Sequence, residues 1–492
     1  MNKKLRIAFL MAVWIMTGLT AGNVSAYEKK TVSLDLSEAD DSVADVNEAE
    51  VRGFFEYKFR SDLRQMNLPA VCYYSDYFFR IRNSTYNHRL AKMSLALALS
   101  AFQTWGSEGI HHVVDASVYQ YGDPIHDLRN TPAENVVELL HDCGFQEITV
   151  NQDFLLTTQY DLPYNDGNNI GICLANKTLK NGDVLIAAAI RGGGYGDEWI
   201  GNLNCYGSGL EHKGFLLAAE KVLNEIEAYI LTENLEEKKL KIWITGYSRA
   251  GAAADLAAAI ICREGIGKTG VGSKDVYAYT FEAPRVTKNR SCGDEMYQGI
   301  YNIINPLDLV TYVPMKGKGW GYKRYGKDKY LPCRYTDYLS YCFYERRVLK
   351  EYCRYTGGKT LSLPQVTDQL KTVIDITDQL ALILKNDHSE ILLRLYEELR
   401  DMMIADRGIG MDGSELLAFV LDKYKKEMVF LFSVMLRHPV RNFAGAVISY
   451  SFLENYAEKL SSVHLPELEL AWMNQIPGYI LSDSWRYGMY HS

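Results

Sequence analysis

The chain has no surplus of proline or glycine (12 and 38 of 492 residues), which excludes collagen-like, elastic and low-complexity classes. It has no excess of positive charge either: 53 Lys and Arg stand against 61 Asp and Glu, a net charge of −8. Nucleic-acid binding favours the opposite balance, so no nucleic-acid partner is expected. No cysteine pair has C-x-x-C spacing and no Cys/His pair has zinc-site spacing, so no structural metal is indicated. No run beyond the N-terminus reaches the roughly 18 uninterrupted apolar residues that a spanning helix needs.

What is present is enough apolar residue, 47%, for a large core in one enlarged domain or two. The 35 tyrosines lean towards an extracellular setting. At the N-terminus Lys3, Lys4 and Arg6 precede an apolar run at 7–19, and Val24-Ser25-Ala26 offers the small residues of a cleavage site. Residues 1–26 therefore read as a signal peptide, with an uncleaved membrane anchor as the alternative. No cysteine follows Ala26, which argues against a lipid-anchored form. Cleavage leaves 50 basic and 61 acidic residues, a net charge of −11. A secreted or surface-located, soluble, acidic protein is expected. Nine cysteines remain, and export permits disulfides. Cys333, Cys342 and Cys353 are near enough in sequence to pair locally, but buried free thiols are equally compatible with a core of this size.

Residues 27–52 are acidic and polar and read as a mobile leader. Residues 53–147 read as a mainly helical region, with apolar spacing for helices at 88–102 and 135–143. From 148 to 333 the pattern alternates. Strand-length apolar runs stand at 170–175, 184–190, 241–245, 276–281 and 301–304, with helical spacing at 215–231 and 250–261. Such alternation predicts an α/β fold with a mostly parallel sheet covered on both faces, and ligands beyond the carboxyl ends of its strands. Residues 334–455 turn helical again, as an insertion or a small second domain, and 456–492 return to the core.

The sharpest local signal is Ile242-Trp243-Ile244-Thr245-Gly246-Tyr247-Ser248-Arg249-Ala250-Gly251. A β-rich run enters a tight turn centred on Ser248 and leaves as an alanine-rich helix. That is the form of a nucleophile elbow, which exposes a serine Oγ on a strained strand-to-helix turn. The pattern is G-x-S-x-A-G, with Ala250 where a strict elbow has glycine. Gly192, Gly193 and Gly194 form a glycine-rich turn after the 184–190 run, and no Lys-Ser/Thr follows, which excludes a P-loop.

With these residues in place, the stretch resembles the class 3 lipases, which are α/β-hydrolases, and in particular secreted bacterial relatives with arginine after the serine. The run ending Arg191-Gly192-Gly193 is similar to that family's strand ending Arg-Gly-Thr, and Glu198-Trp199 to its acidic-Trp pair. His212-Lys213-Gly214-Phe215 resembles its His-x-Gly-Phe. Thr280-Phe281-Glu282-Ala283-Pro284-Arg285-Val286 resembles its Thr-Phe-Gly-Ala-Pro-Arg-Val. Asn305-Pro306-Leu307-Asp308-Leu309-Val310 matches its Asn-x-x-Asp-x-Val, and the stretch from Gly321-Tyr322 to Gly326 follows as it does there.

The resemblance implies a serine nucleophile, Ser248, a base and an orienting acid. Asp308 ends an apolar strand on its carboxyl side, 60 residues after Ser248, and is the acid candidate; a turn aspartate capping its own loop is the alternative. In an α/β-hydrolase the base follows the acid. His464 precedes Leu465-Pro466-Glu467 and resembles the family's His-x-Pro-Glu ending; Pro466 starts a helix and leaves His464 on a loop. His438, before Pro439, is the second candidate. The oxyanion donors would be the backbone N–H of Arg249 and of the Gly192–Gly193 turn, where relatives add a Thr or Ser hydroxyl that Gly193 lacks.

The reading is a secreted serine esterase or lipase with no metal or organic cofactor, acting on a lipid or small ester. Its alternative is a catalytically weak or inactive α/β-hydrolase-like surface binding protein. The 156-residue interval from Asp308 to His464 exceeds what a minimal core needs, and an insertion there commonly caps the active site. The aromatic and basic stretch bounded by Lys316 and Arg354 suits an anionic membrane surface, or else a solvated ribbon at the base of the insertion. Oligomeric state is left open.

Overall fold

The first described element departs from helix. The computed structural model describes residues 50–61, 63–64, 66–102, 132–155, 170–192, 202, 209–314, 321–334, 337–367, 370 and 463–483. It opens with two ten-residue strands, β1 (Arg52–Ser61) and β2 (Met66–Ser75), paired antiparallel. The expected mainly helical character of 53–147 is therefore corrected over its first quarter. Along β1, Phe55, Tyr57 and Phe59 turn inward while Phe54, Glu56 and Lys58 face outward, a two-residue period rich in aromatics that selects strand over helix. The hairpin is tied to the next turn by the Val51 N–H, which donates to Asp76 at 3.1 Å, and by a Glu50–Arg80 ion pair. The last residues of the acidic leader thus belong to the ordered fold. The 1–26 segment and the rest of the leader to 49 lie outside the described residues, as does the insertion from 371 to 455.

Helices α1 (His88–Ser100) and α2 (Glu134–Asp142) follow, close to their expected bounds. α1 is buried around nearly its whole circumference, which its dense apolar pattern requires.

The sheet has seven strands in chain order: β3 (Gln146–Val150), β4 (Ile172–Thr178), β5 (Val184–Ile190), β6 (Leu240–Tyr247), β7 (Val276–Phe281), β8 (Ile300–Ile304) and β9 (Lys327–Tyr330). β3 to β5 pair antiparallel and β5 to β9 parallel. Alternate residues serve opposite faces. Leu185, Ala187, Ala189 and Trp243 join α1 and the hairpin in one core. Val184, Ile186, Ala188, Ile242 and Ile244 join α3 (Lys213–Thr232) and α4 (Arg249–Glu264) in the other. Both faces are covered, which is why these strands read as unbroken apolar runs. The architecture is α/β, with the mostly parallel sheet and flanking helices of an α/β-hydrolase.

Trp243 locks the first face. It is fully buried among Tyr74, Phe79 and Phe145, and its indole N–H donates to Ser94 Oγ on α1 at 2.8 Å. Helices α5 (Tyr338–Tyr355) and α6 (Pro466–Gln475) pack together on the same face, and Trp472 joins its core. The C-terminal segment returns to the sheet through an antiparallel bridge between Tyr330 and Ser482.

Candidate functional site

β6 delivers Ser248 to the carboxyl edge of the sheet, between Tyr247 and the first residue of α4. The serine has φ 57° and ψ −125°, a backbone conformation that costs a non-glycine residue on the order of 1–3 kcal/mol. Its N–H donates to the Phe281 carbonyl of β7 at 2.8 Å, which helps to hold the turn. The side chain does not cap α4, so Oγ is available for other work. The turn needs glycine on both sides. A Cβ on Gly246 would stand 2.4 Å from the Ala250 carbonyl oxygen, and one on Gly251 would stand 3.0 Å from Ala283 Cβ. The close approach on the helix side therefore falls at Gly251, and Ala250 is accommodated in the core beside it.

Two other segments reach the serine. His464 and Asp308 are fully buried. His464 Nε2 lies 2.8 Å from Ser248 Oγ, and its Nδ1 lies 2.5 Å from Asp308 Oδ2. A carboxylate only accepts, so Nδ1 carries the proton and Nε2 accepts from the serine hydroxyl. The backbone behind the imidazole is pinned as well: Tyr247 donates its phenol proton to the His464 carbonyl at 3.0 Å, and Asn305 Nδ2 donates to the Val463 carbonyl at 3.2 Å. Pro466 opens α6 two residues later and keeps His464 off that helix. Asp308 does both things read for it, since its Oδ1 also accepts from the Val310 N–H at 2.9 Å and caps the short turn Leu309–Tyr312.

The Arg249 N–H lies in the first turn of α4, whose amides have no intrahelical acceptor. Gly192 is buried just beyond β5, and a Cβ there would press 2.3 Å from the Phe102 ring, which itself packs edge-on to Tyr247. Gly193 lies outside the described residues, as do His438 and the His111-His112 pair. His212 caps α3 by accepting from the Phe215 N–H, and burial pushes its imidazole down to about 3. It is a neutral structural group.

Two acidic residues at the site, Glu282 and Glu469, were not singled out from sequence. Glu282 follows β7 at φ 49°, is fully buried, and accepts from the Asn305 N–H at 2.8 Å. Glu282, Asp308 and His464 each offer one atom within 4.8 Å of the others, a spacing that a metal ion could use. Both ring nitrogens of His464 are already engaged, however, and the set reads as a hydrogen-bond relay. Burial, with Glu469 and Asp308 as neighbours, pushes the Glu282 carboxyl well above its ordinary range. Burial likewise pushes Glu469 up to about 7. The available signal was the glutamate at 282, where the resembling stretch has glycine.

In the aromatic and basic stretch, Tyr322, Tyr325 and Tyr341 are buried and β9 is part of the sheet, while Tyr338, Leu339 and Phe343 on α5 are exposed. The eight described cysteines are all free thiols, Cys333, Cys342 and Cys353 among them.

Residues 188–318 match the family model of the class 3 lipases, a span that includes Ser248, Glu282 and Asp308 and ends before His464. A lipase of Rhizomucor miehei is 30% identical over 111 residues, which are 22% of this chain and 30% of that protein. The chain thus spans less than a third of that relative's length. Among solved structures, a Rhizomucor miehei lipase in a propeptide complex is 24% identical, with 33% of this chain and 53% of that one covered and a TM-score of 0.27. The Lip2 lipase of Yarrowia lipolytica is 18% identical, with 34% and 63% covered and a TM-score of 0.26.

Proposed function

We propose, from the match of residues 188–318 to the class 3 lipase family model, that the chain is a serine hydrolase of carboxylic esters, with lipid esters as the substrate class. The observation that carries this is the continuous relay from Asp308 through His464 to an elbow-strained Ser248.

Ser248 Oγ attacks the acyl carbon while His464 Nε2 takes the hydroxyl proton. The resulting oxyanion is met by the Arg249 N–H and, as the family resemblance implies, by a backbone donor of the Gly192–Gly193 turn. Collapse expels the alcohol, which leaves with the proton held on His464, and the acyl group stays on Ser248 as an ester. Water then attacks that ester with His464 again as base, releasing the acid and restoring the serine. Asp308 keeps the Nδ1 tautomer throughout and balances the imidazolium. No step calls for a metal or an organic cofactor.

Export through residues 1–26 belongs to the same proposal, as does contact with an anionic lipid surface through the exposed Tyr338, Leu339 and Phe343, next to Arg346 and Arg347. Turnover of p-nitrophenyl butyrate and octanoate by the purified chain, beside Ser248→Ala, tests the reading. Hydrolysis that vanishes in the variant supports it. Absence of turnover on both esters overturns it in favour of a binding role for the same scaffold.

A further inference from the structure

Behind the His464 imidazole, where one carboxylate suffices to orient it, three carboxyl groups meet. Asp308 comes from the turn after β8, Glu282 from the end of β7 and Glu469 from α6, and all are buried. Building on the ester-hydrolase reading, we infer that Glu282 is a positioning residue of the same site: a neutral acid whose proton is donated to the Asp308 carboxylate and keeps it aligned behind His464.

The assignment starts from the atoms. Glu282 Oε1 accepts from the Asn305 N–H, which leaves Oε2 as the oxygen that carries a proton. Oε2 is buried and finds no hydrogen-bond donor, and neither oxygen of Glu469 finds one. Glu282 and Asp308 each offer an atom within 4.8 Å of the other, and the Glu469 carboxyl is their neighbour. Carboxyl oxygens brought together out of water need a shared proton, because like charges at that range cannot all ionise. Asp308 already accepts from two N–H groups, of Val310 and His464, one on each oxygen. Glu282 receives one and takes the proton.

The chain also keeps Glu282 where its backbone resists it. A φ of 49° is left-handed and favours glycine, yet a charged-type side chain stands there, fully buried, at the foot of the relay. The other titratable groups facing the cluster are Tyr247 from β6, Tyr86 from the segment before α1, and Glu467 from α6, whose Oε1 accepts from Ser61 Oγ at 2.5 Å. None of these supplies a donor to Glu282 Oε2 or to the Glu469 oxygens.

A direction follows. Loss of the shared proton at rising pH removes the hydrogen bond that aligns Asp308 and sets two carboxylates against each other behind His464. The wild-type kcat therefore falls on the alkaline side as the cluster ionises.

Two variants separate the possibilities. Glu282→Gln keeps the acceptor for Asn305, places an amide donor where the acid proton was, and cannot ionise. Glu282→Met keeps the length and loses the donor. On p-nitrophenyl butyrate, Glu282→Gln is expected to hold kcat within about 3-fold of wild type and to flatten the alkaline fall. Glu282→Met is expected to lower kcat about 10–100-fold at unchanged KM, the effect of one lost hydrogen bond to a charged group. An infrared difference spectrum across the titration is expected to show in wild type a protonated-carboxyl band that Glu282→Gln loses and Glu469→Gln keeps, and this readout needs no turnover and no Met variant. Turnover with kcat and pH profile alike in wild type, Gln and Met overturns the inference and leaves the hydrolase reading intact. A Gln variant as impaired as Met, or a spectrum without the band, overturns the neutral-acid assignment. Absence of turnover and of fluorophosphonate labelling in wild type overturns the hydrolase reading, and the positioning role with it, whatever the spectrum shows.

Discussion

Gly246→Ala is the smallest change that tests whether the elbow geometry carries the reactivity of Ser248. The added Cβ would stand 2.4 Å from the Ala250 carbonyl oxygen, 2.5 Å from its carbon and 2.8 Å from the Gly251 nitrogen. All three are backbone atoms of the first turn of α4, so no side chain can swing aside. Relief to ordinary contact requires β6 and the start of α4 to separate by somewhat under about 1 Å, and overpacking of this kind costs about 1–3 kcal/mol. Ser248 sits between the two moving parts. A shift of that size is enough to break its 2.8 Å contact with His464 Nε2, and misplacement of about 1 Å in a reacting group costs on the order of 10²-fold in rate. The expected result is a folded protein with an apparent Tm a few degrees lower and kcat for p-nitrophenyl butyrate down about 10–100-fold. Wild-type kinetics and labelling rate in Gly246→Ala would refute the claim that the tight strand–helix turn positions the nucleophile.

Stability is expected to fall as pH rises through about 7, the value to which Glu469 is pushed, because an acid whose folded pKa is raised adds stability only while it is protonated. That contribution is full below the ordinary carboxylate range, amounts to a few kcal/mol, and is read as a urea midpoint that drops between about pH 5 and 8 and flattens in Glu469→Gln. An unchanged midpoint over that range contradicts the buried-acid account. Trp243→Ala is expected to destabilise by about 3–5 kcal/mol, from the cavity it leaves between sheet and α1, with a further contribution from the orphaned Ser94 hydroxyl. Asp308→Asn is expected to keep the fold and lower kcat by up to about 10⁴-fold, since an asparagine fails to hold the Nδ1–H tautomer; a loss under 10-fold by steady-state kinetics would refute that role.

The central sheet was legible because strands buried on both faces must be apolar throughout, and β5 and β7 stand where their runs predicted. The elbow was legible because its turn admits few residue types. Three features were not. β1 and β2 carry exposed charges alternating with buried aromatics, and only the two-residue period separates them from the helical segments that follow. β9 (Lys-Asp-Lys-Tyr) is a half-exposed edge strand, with charge where an interior strand has valine or isoleucine. The carboxyl cluster joins residues 282, 308 and 469. Taken singly, each is a polar residue near a turn or a helix start, and burial and mutual contact arise only when β7, β8 and α6 converge. His464 and Asp308 were legible as candidates by order and context; their approach to Ser248 is tertiary information.

The most direct test of the relay is fluorophosphonate labelling followed by peptide mass spectrometry. A single adduct on Ser248 is predicted for the wild-type chain, absent in Ser248→Ala and strongly slowed in His464→Ala. An unlabelled wild-type protein, or an adduct on a different serine, would contradict a nucleophile activated through His464 and Asp308.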